Sequence, residues 1–292
     1  MIEFSSFMIP WNAIFSVLSV SAFIATIAMA FLLFKAQSKL VAQDPHCTPE
    51  TFWTGLVVTA ICSMVLVLVL QVVANFAFNV AFDGDNMGRK AQVGAQLSKN
   101  PRGFAVLIVT LLVGGGYAFS FVEASLITHI FSCTIGIGFL EEAAKAFSAI
   151  IIFSMFYKGN RYRHSLAPFV IAGLGFGAGE ALHYFATYNL YEMGFGIYLV
   201  RAWWCVALHA AWTLIVGDFI IKAFNGIPSI DQLSGDDYGK LFACLIPSMV
   251  MHGFYNAFCF HNIPLSWVVG IGSLIWGFSI LNKPKTEFVS LR

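Results

Sequence analysis

Eight long apolar runs leave this chain almost nowhere to fold except inside a lipid bilayer. They lie near residues 11–34, 53–82, 104–122, 130–157, 166–186, 197–224, 240–260 and 264–282. A hydrocarbon core about 30 Å thick is crossed by about 20 residues of helix, and the runs are of that order. None shows the period-two alternation of a strand, and an open sheet cannot satisfy its backbone in lipid. Composition agrees: 59% of the residues are hydrophobic and 11% charged, against about 25% charged in a soluble domain. The expected fold is all-α, a polytopic integral membrane bundle of about eight transmembrane helices.

Basic residues orient such a bundle, because loops rich in Lys and Arg stay on the cytoplasmic side. With eight spans, one face receives Arg89, Lys90, Lys99, Arg102, Lys158, Arg161, Arg163, Lys222, Lys240, Lys283, Lys285 and Arg292. The other receives Lys35, Lys39 and Arg201. This predicts a multi-pass protein of the cell membrane with both termini cytoplasmic. The first run is too long for a signal-peptide core and lacks a basic segment before it, so it reads as a retained helix. The sequence divides into two accessory helices, 1–103, and a six-helix core, 104–292. A net charge of +1 argues against a nucleic-acid partner. Six cysteines show no zinc-type or disulfide-type spacing.

Four polar clusters interrupt the apolar runs, and a charge in a bilayer costs roughly 3 kcal/mol or more. Glu141, Glu142 and Lys145 share one helix. One carboxylate can pair with Lys145, by i,i+4 or i,i+3 spacing. The two cannot both ionise comfortably in a low dielectric, which suits one of them to be a general base. The plain alternative is an ion pair that staples helices. The i,i+4 rule assigns Lys145 to Glu141 and leaves Glu142 as the base. Glu180 follows Gly173, Gly175, Gly177 and Gly179, a spacing that allows close helix packing. His183, one turn on, reads as interfacial. His209 with Thr213, and His252 with Asn256, each put two polar groups on one helix face. A lone buried histidine is usually a packing residue, but two with polar partners weaken that reading. Counted by depth along each span, all four clusters can meet in the outer half of the bilayer. Asp218 and Lys222 read as a structural i,i+4 pair. Arg201, beside Trp203 and Trp204, is either an interfacial anchor or a counter-charge to a site carboxylate.

In this order the clusters resemble the PrsW family of intramembrane proteases, within the superfamily of CAAX prenyl endopeptidases and bacteriocin-processing enzymes. The matching residues are Glu141, Glu142 and Lys145, then Phe176 and Glu180, then His209, then His252 and Asn256. They cover roughly residues 104–260. The resemblance implies an endopeptidase that cuts membrane-associated proteins, for instance site-1 cleavage of a signalling protein such as an anti-sigma factor.

Two chemistries are open to this set. In one, Glu141 or Glu142 activates water, His209 and His252 orient it or donate protons, and Asn256 donates to the oxyanion. In the other, a divalent metal such as zinc is held by Glu142, Glu180, His209 and His252 and supplies the activated water. Outside the proteases, intramembrane Glu, His and Lys also suit a proton-coupled transporter. A catalytically silent scaffold that binds transmembrane helices is a third reading.

Overall fold

The computed structural model describes residues 11–43, 47–82, 112–117, 120, 124–156, 165–187, 196, 199–229 and 233–282, and among these most are helical and none is in a strand. The elements are α1 (Trp11–Gln43), α2 (Pro49–Phe82), α3 (Leu126–Ser132), a π-helical turn π1 (Cys133–Gly138), α4 (Phe139–Phe156), α5 (Ala167–Thr187), a second turn π2 (Val200–Cys205), α6 (Val206–Phe224), α7 (Gly235–His261) and α8 (Ile263–Leu281). Most of the expected third span, 104–122, lies outside the described residues. So do ten of the twelve basic residues assigned to the cytoplasmic face, all but Lys222 and Lys240.

Local chemistry sets the helix ends. Ser125 caps α3 by accepting from the Thr128 amide at 3.3 Å. Ser234 and Asp237 form a reciprocal capping box at the start of α7. Asn225 in the left-handed region and Gly226 at φ 127° stop α6. Asn262 accepts from the Leu265 amide and opens α8, with a proline in its first turn.

Among the described residues, four segments are long and apolar enough to cross a membrane: Pro49–Val69, Val200–Phe224, Gly235–His261 and Ile263–Leu281. The count of eight is not reproduced among the described residues. α4 is set apart from these segments by three ionisable residues, Glu141, Glu142 and Lys145, which are buried inside the bundle and not offered to lipid.

The helix directions depart from simple alternation. Gly55 of α2 packs on Ile171 of α5, Gly175 on Leu56 and Thr59, and Gly179 on Ala60 and Met64. The numbers rise together, so α2 and α5 are parallel, whereas one crossing per run makes the second and fifth spans antiparallel. The start of α2 therefore shares an end of the bundle with the start of α5. Lys39 confirms the placement, with its ammonium 5.2 Å over the Phe278 ring near the end of α8. Lys35 and Lys39 thus stand at the Lys222 and Lys240 end, not opposite it. The departure from alternation concerns helix direction; residues 1–10 and 283–292, on which the expectation for the two termini rests, lie outside the described residues. The physical reason for the departure is that hydropathy marks apolar length and is blind to direction.

The core is continuous from α1 to α8. Phe52, Leu56, Ile152, Phe169, Ile171, Ile215 and Ile220 pack within one buried cluster. Phe31, Ile61, Leu68, Val268 and Ile275 are exposed, as expected of helix faces turned to lipid.

Candidate functional site

Glycine approach brings the polar helices together. Gly173 and Gly177 of α5 lie against the backbone of His209, Ala210 and Val206, so α5 and α6 pack almost backbone to backbone. Gly138 meets Met249, and Gly253 meets Thr134, which seats π1 on α7 in the same way. Both π-helical turns precede a helix that carries site residues, α4 and α6. Such turns are often found at functional sites, and hydropathy gives no sign of them.

At this crossing six ionisable groups share hydrogen bonds. Lys145 Nζ donates to Glu142 Oε1 at 2.5 Å and lies 3.0 Å from His209 Nδ1. Glu142 Oε1 also meets His252 Nδ1 at 2.9 Å. On the far side of His209, Nε2 meets Glu180 Oε2 at 2.8 Å. Arg201 approaches Glu180 Oε1 at 3.4 Å while stacking 4.0 Å over the Tyr184 ring. Each imidazole thus has one nitrogen against a carboxylate, which fixes the ring and its tautomer.

Glu141 stands apart. Its Oε2 is buried with no hydrogen-bond partner, 3.7 Å from His252 Nε2 and 3.9 Å from His209 Nδ1. The expected pairing of Lys145 with Glu141 is therefore corrected: Lys145 pairs with Glu142 at i,i+3. The i,i+4 rule describes an isolated helix. Here His252, on another helix, draws Glu142 and Lys145 to one side and leaves Glu141 directed between the histidines.

The other expected residues separate cleanly. Arg201 is the counter-charge to Glu180. Thr213 turns its hydroxyl to the His209 carbonyl of its own helix, at 2.8 Å, and does not enter the cluster. Asn256 is half-buried one turn beyond His252, with no hydrogen bond to the cluster. His183 is exposed against Tyr184. Asp218 and Lys222 pair at 2.6 Å, as the spacing suggested. Two walls escaped the sequence reading: Lys145 Nζ lies 5.0 Å over the Phe176 ring and 5.6 Å over Trp212. Phe176 stood only as a motif position and Trp212 only as a spacer in the His209–Thr213 tract.

Glu141, His209 and His252 each offer one ligand atom, and the three atoms lie within 4.8 Å of one another, a group that could hold a metal ion. This group shares His209 and His252 with the expected ligand set and has Glu141 where that set had Glu142 and Glu180, which meet the outer nitrogens of the histidines. Carboxylates placed behind histidine ligands are a usual support for a metal. The fit is incomplete in one respect: Lys145 donates to the same His209 Nδ1 lone pair that a metal would need. Side-chain exposure rises from 0% at Glu142 and Lys145 to 11% at Glu141, 15% at Glu180 and 29% at Arg201. The cluster therefore opens past Glu180 and Arg201.

No curated protein and no solved structure matches the chain. The family model described as PrsW family intramembrane metalloprotease matches residues 102–281, the stretch that contributes every polar group of the cluster. The chain belongs to the PrsW family of intramembrane proteases, a multi-pass membrane protein by its apolar helices and by its family.

Proposed function

We propose that the chain hydrolyses peptide bonds of membrane-associated proteins at this cluster, with Glu141 as the base that activates water. A single observation carries the assignment: Glu141 Oε2 is the carboxylate oxygen that faces both histidines without a hydrogen bond of its own. Glu142 and Glu180 are committed to Lys145, Arg201 and the outer nitrogens of the imidazoles. Three carboxylates meet two fixed cations, so the uncompensated charge falls on Glu141.

The steps follow from the geometry. Glu141 Oε2 takes a proton from a water as the water oxygen bonds to the scissile carbonyl carbon. His252, its Nδ1 held by Glu142, presents Nε2 on the same side. In its protonated form it donates Nε2–H to the oxyanion, a kind of contact worth about 3–4 kcal/mol in other enzymes. The proton held by Glu141 then passes to the leaving amine as the C–N bond breaks, which restores the carboxylate. Lys145 and Glu180 keep His209 from turning away. A substrate reaches these groups as an unwound segment on the side of Glu180 and Arg201, where the side chains are exposed.

The family description names a metal, and the donor set would accept one at Glu141, His209 and His252 only if Lys145 left His209 Nδ1. No step above needs it. The test uses the purified full chain in detergent with fluorescein-labelled casein, with and without 1,10-phenanthroline. Cleavage by the wild type that disappears in Glu141→Gln and persists in the chelator supports the reading. Full activity in Glu141→Gln would exclude Glu141 as the base. Loss of cleavage in the chelator would replace the metal-free mechanism with a metal-held one at the same residues.

A further inference from the structure

We propose that Trp212 is a positioning residue for His252, held in place by Ser273 of α8. The inference rests on the reading of Glu141 and His252 as the reacting pair. Trp212 is 1% exposed, and its ring stacks on the His252 imidazole with centroids 4.2 Å apart and 18° between planes. The bond from His252 Nδ1 to Glu142 fixes one direction of the imidazole. It leaves the ring able to swing about that line. A parallel aromatic surface removes the swing, so Nε2 stays aimed at Glu141. His209, one turn before Trp212 on α6, meets the same indole edge-on at 5.4 Å and 86°. A displaced indole would therefore disturb both histidines.

Trp212 is itself gripped from two helices. Its indole N–H donates to Ser273 Oγ at 2.9 Å. The Ser273 hydroxyl donates to the Val269 carbonyl at 2.8 Å, so a lone pair faces the indole. Ser273 is fully buried. The Trp212 carbonyl accepts from Ser248 Oγ at 2.7 Å. Ser248 lies one turn before His252, so α7 holds the Trp212 backbone with one residue and rests His252 on its ring with the other. α8 contributes no described side chain to the Glu–His cluster, and through Ser273 it fixes the plane of the wall behind it. A buried indole needs a partner for its N–H, and here the partner is placed by a helix outside the chemistry.

The full chain in detergent, with fluorescein-labelled casein, tests the proposal through kcat and KM of the wild type, Ser273→Ala, Trp212→Phe and the double variant. Ser273→Ala should lower kcat about tenfold, the low end of effects for groups that support a ligand or catalytic residue, with KM within about twofold. The double variant should fall no further than Trp212→Phe, since both changes break one hydrogen bond. Unchanged kcat in Ser273→Ala, or fully additive losses, overturns the proposal. A second readout needs no turnover. In protein labelled with carbon-13 at histidine Cε1, the ring current of the stacked indole displaces the His252 resonance. Ser273→Ala and Trp212→Phe should each move that resonance while circular dichroism stays unchanged. A resonance that does not move overturns the proposal. A wild type inert towards casein and towards single-pass membrane reporters counts against the protease reading alone, and the His252 resonance then decides the positioning role.

Discussion

Lys145 Nζ sits 2.5 Å from Glu142 Oε1, and neither side chain has any exposed surface. The pair engages both of its members, and the neighbouring Glu141 takes no part in it. Adjacent helix positions lie about 100° apart around the axis, so the two glutamates meet different surroundings although they are consecutive.

Glutamine at Glu141 should reduce casein cleavage by about 10²–10⁴-fold, the usual contribution of a positioned acid–base group. Thermal unfolding in detergent should be nearly unchanged. Glutamine at Glu142 should instead destabilise, because breaking a buried pair costs about 3–5 kcal/mol. Parallel measurement of turnover and melting temperature checks this. The reverse pattern, a stable and inactive Glu142→Gln beside an unstable Glu141→Gln, would contradict the assignment.

In the proposed mechanism Glu180 acts through His209, which it bonds, and Arg201 acts only through Glu180. Glu180→Gln should lower kcat by about 10–100-fold, as removal of a group behind a histidine commonly does. Arg201→Met leaves the Glu180–His209 bond in place and should have a smaller effect on kcat, with a larger one on KM if substrate passes along the exposed side. Steady-state kinetics separates the two. Equal losses in kcat for both variants would mean that Arg201 contributes to the chemistry itself.

Gly177 is required by contact, not by backbone conformation. A Cβ added there would come within 2.8 Å of Val206 Cα, and overpacking typically costs about 1–3 kcal/mol. Gly177→Ala should lower the melting temperature and the cleavage rate together, since it forces α5 from α6 and stretches the Glu180–His209 bond. Gly272→Ala, where an added Cβ meets nothing within 4 Å, serves as the matched control. Equal stability in the two variants would show that the interface gives way without strain.

Helix direction can be read by cysteine labelling in sealed vesicles. Cysteines placed at Gln43, Gly226 and Asn282 should share one accessibility to a membrane-impermeant maleimide, and one at Asn262 should show the opposite. Strict alternation over eight spans puts Gln43 with Asn262 instead. A Gln43 site that labels with Asn262 would therefore refute the parallel arrangement of α2 and α5.

Much of the fold was legible from the sequence because lipid imposes a simple rule: apolar length becomes helix. Runs 166–186, 197–224 and 264–282 agree with α5, π2 with α6, and α8 to within a few residues. The polar residues were legible for the same reason, since a bilayer tolerates Glu141, Glu142, Lys145, His209 and His252 only at a cost, and such cost marks function or tight pairing. What each does was not legible. Lys145 can reach either glutamate by helical geometry alone, and His252, more than a hundred residues away, draws Glu142 to its side. Trp212 was only a spacer between His209 and Thr213, because its stack on His252 and its bond to Ser273 are made by other helices. The direction of α2, the two π-helical turns and the partner of Lys145 all depend on contacts between distant segments. Hydropathy and local spacing fixed which residues lie in the membrane. Tertiary packing alone decided which of them face one another, because it is set by shape and hydrogen bonding between helices, and neither has a period along the chain.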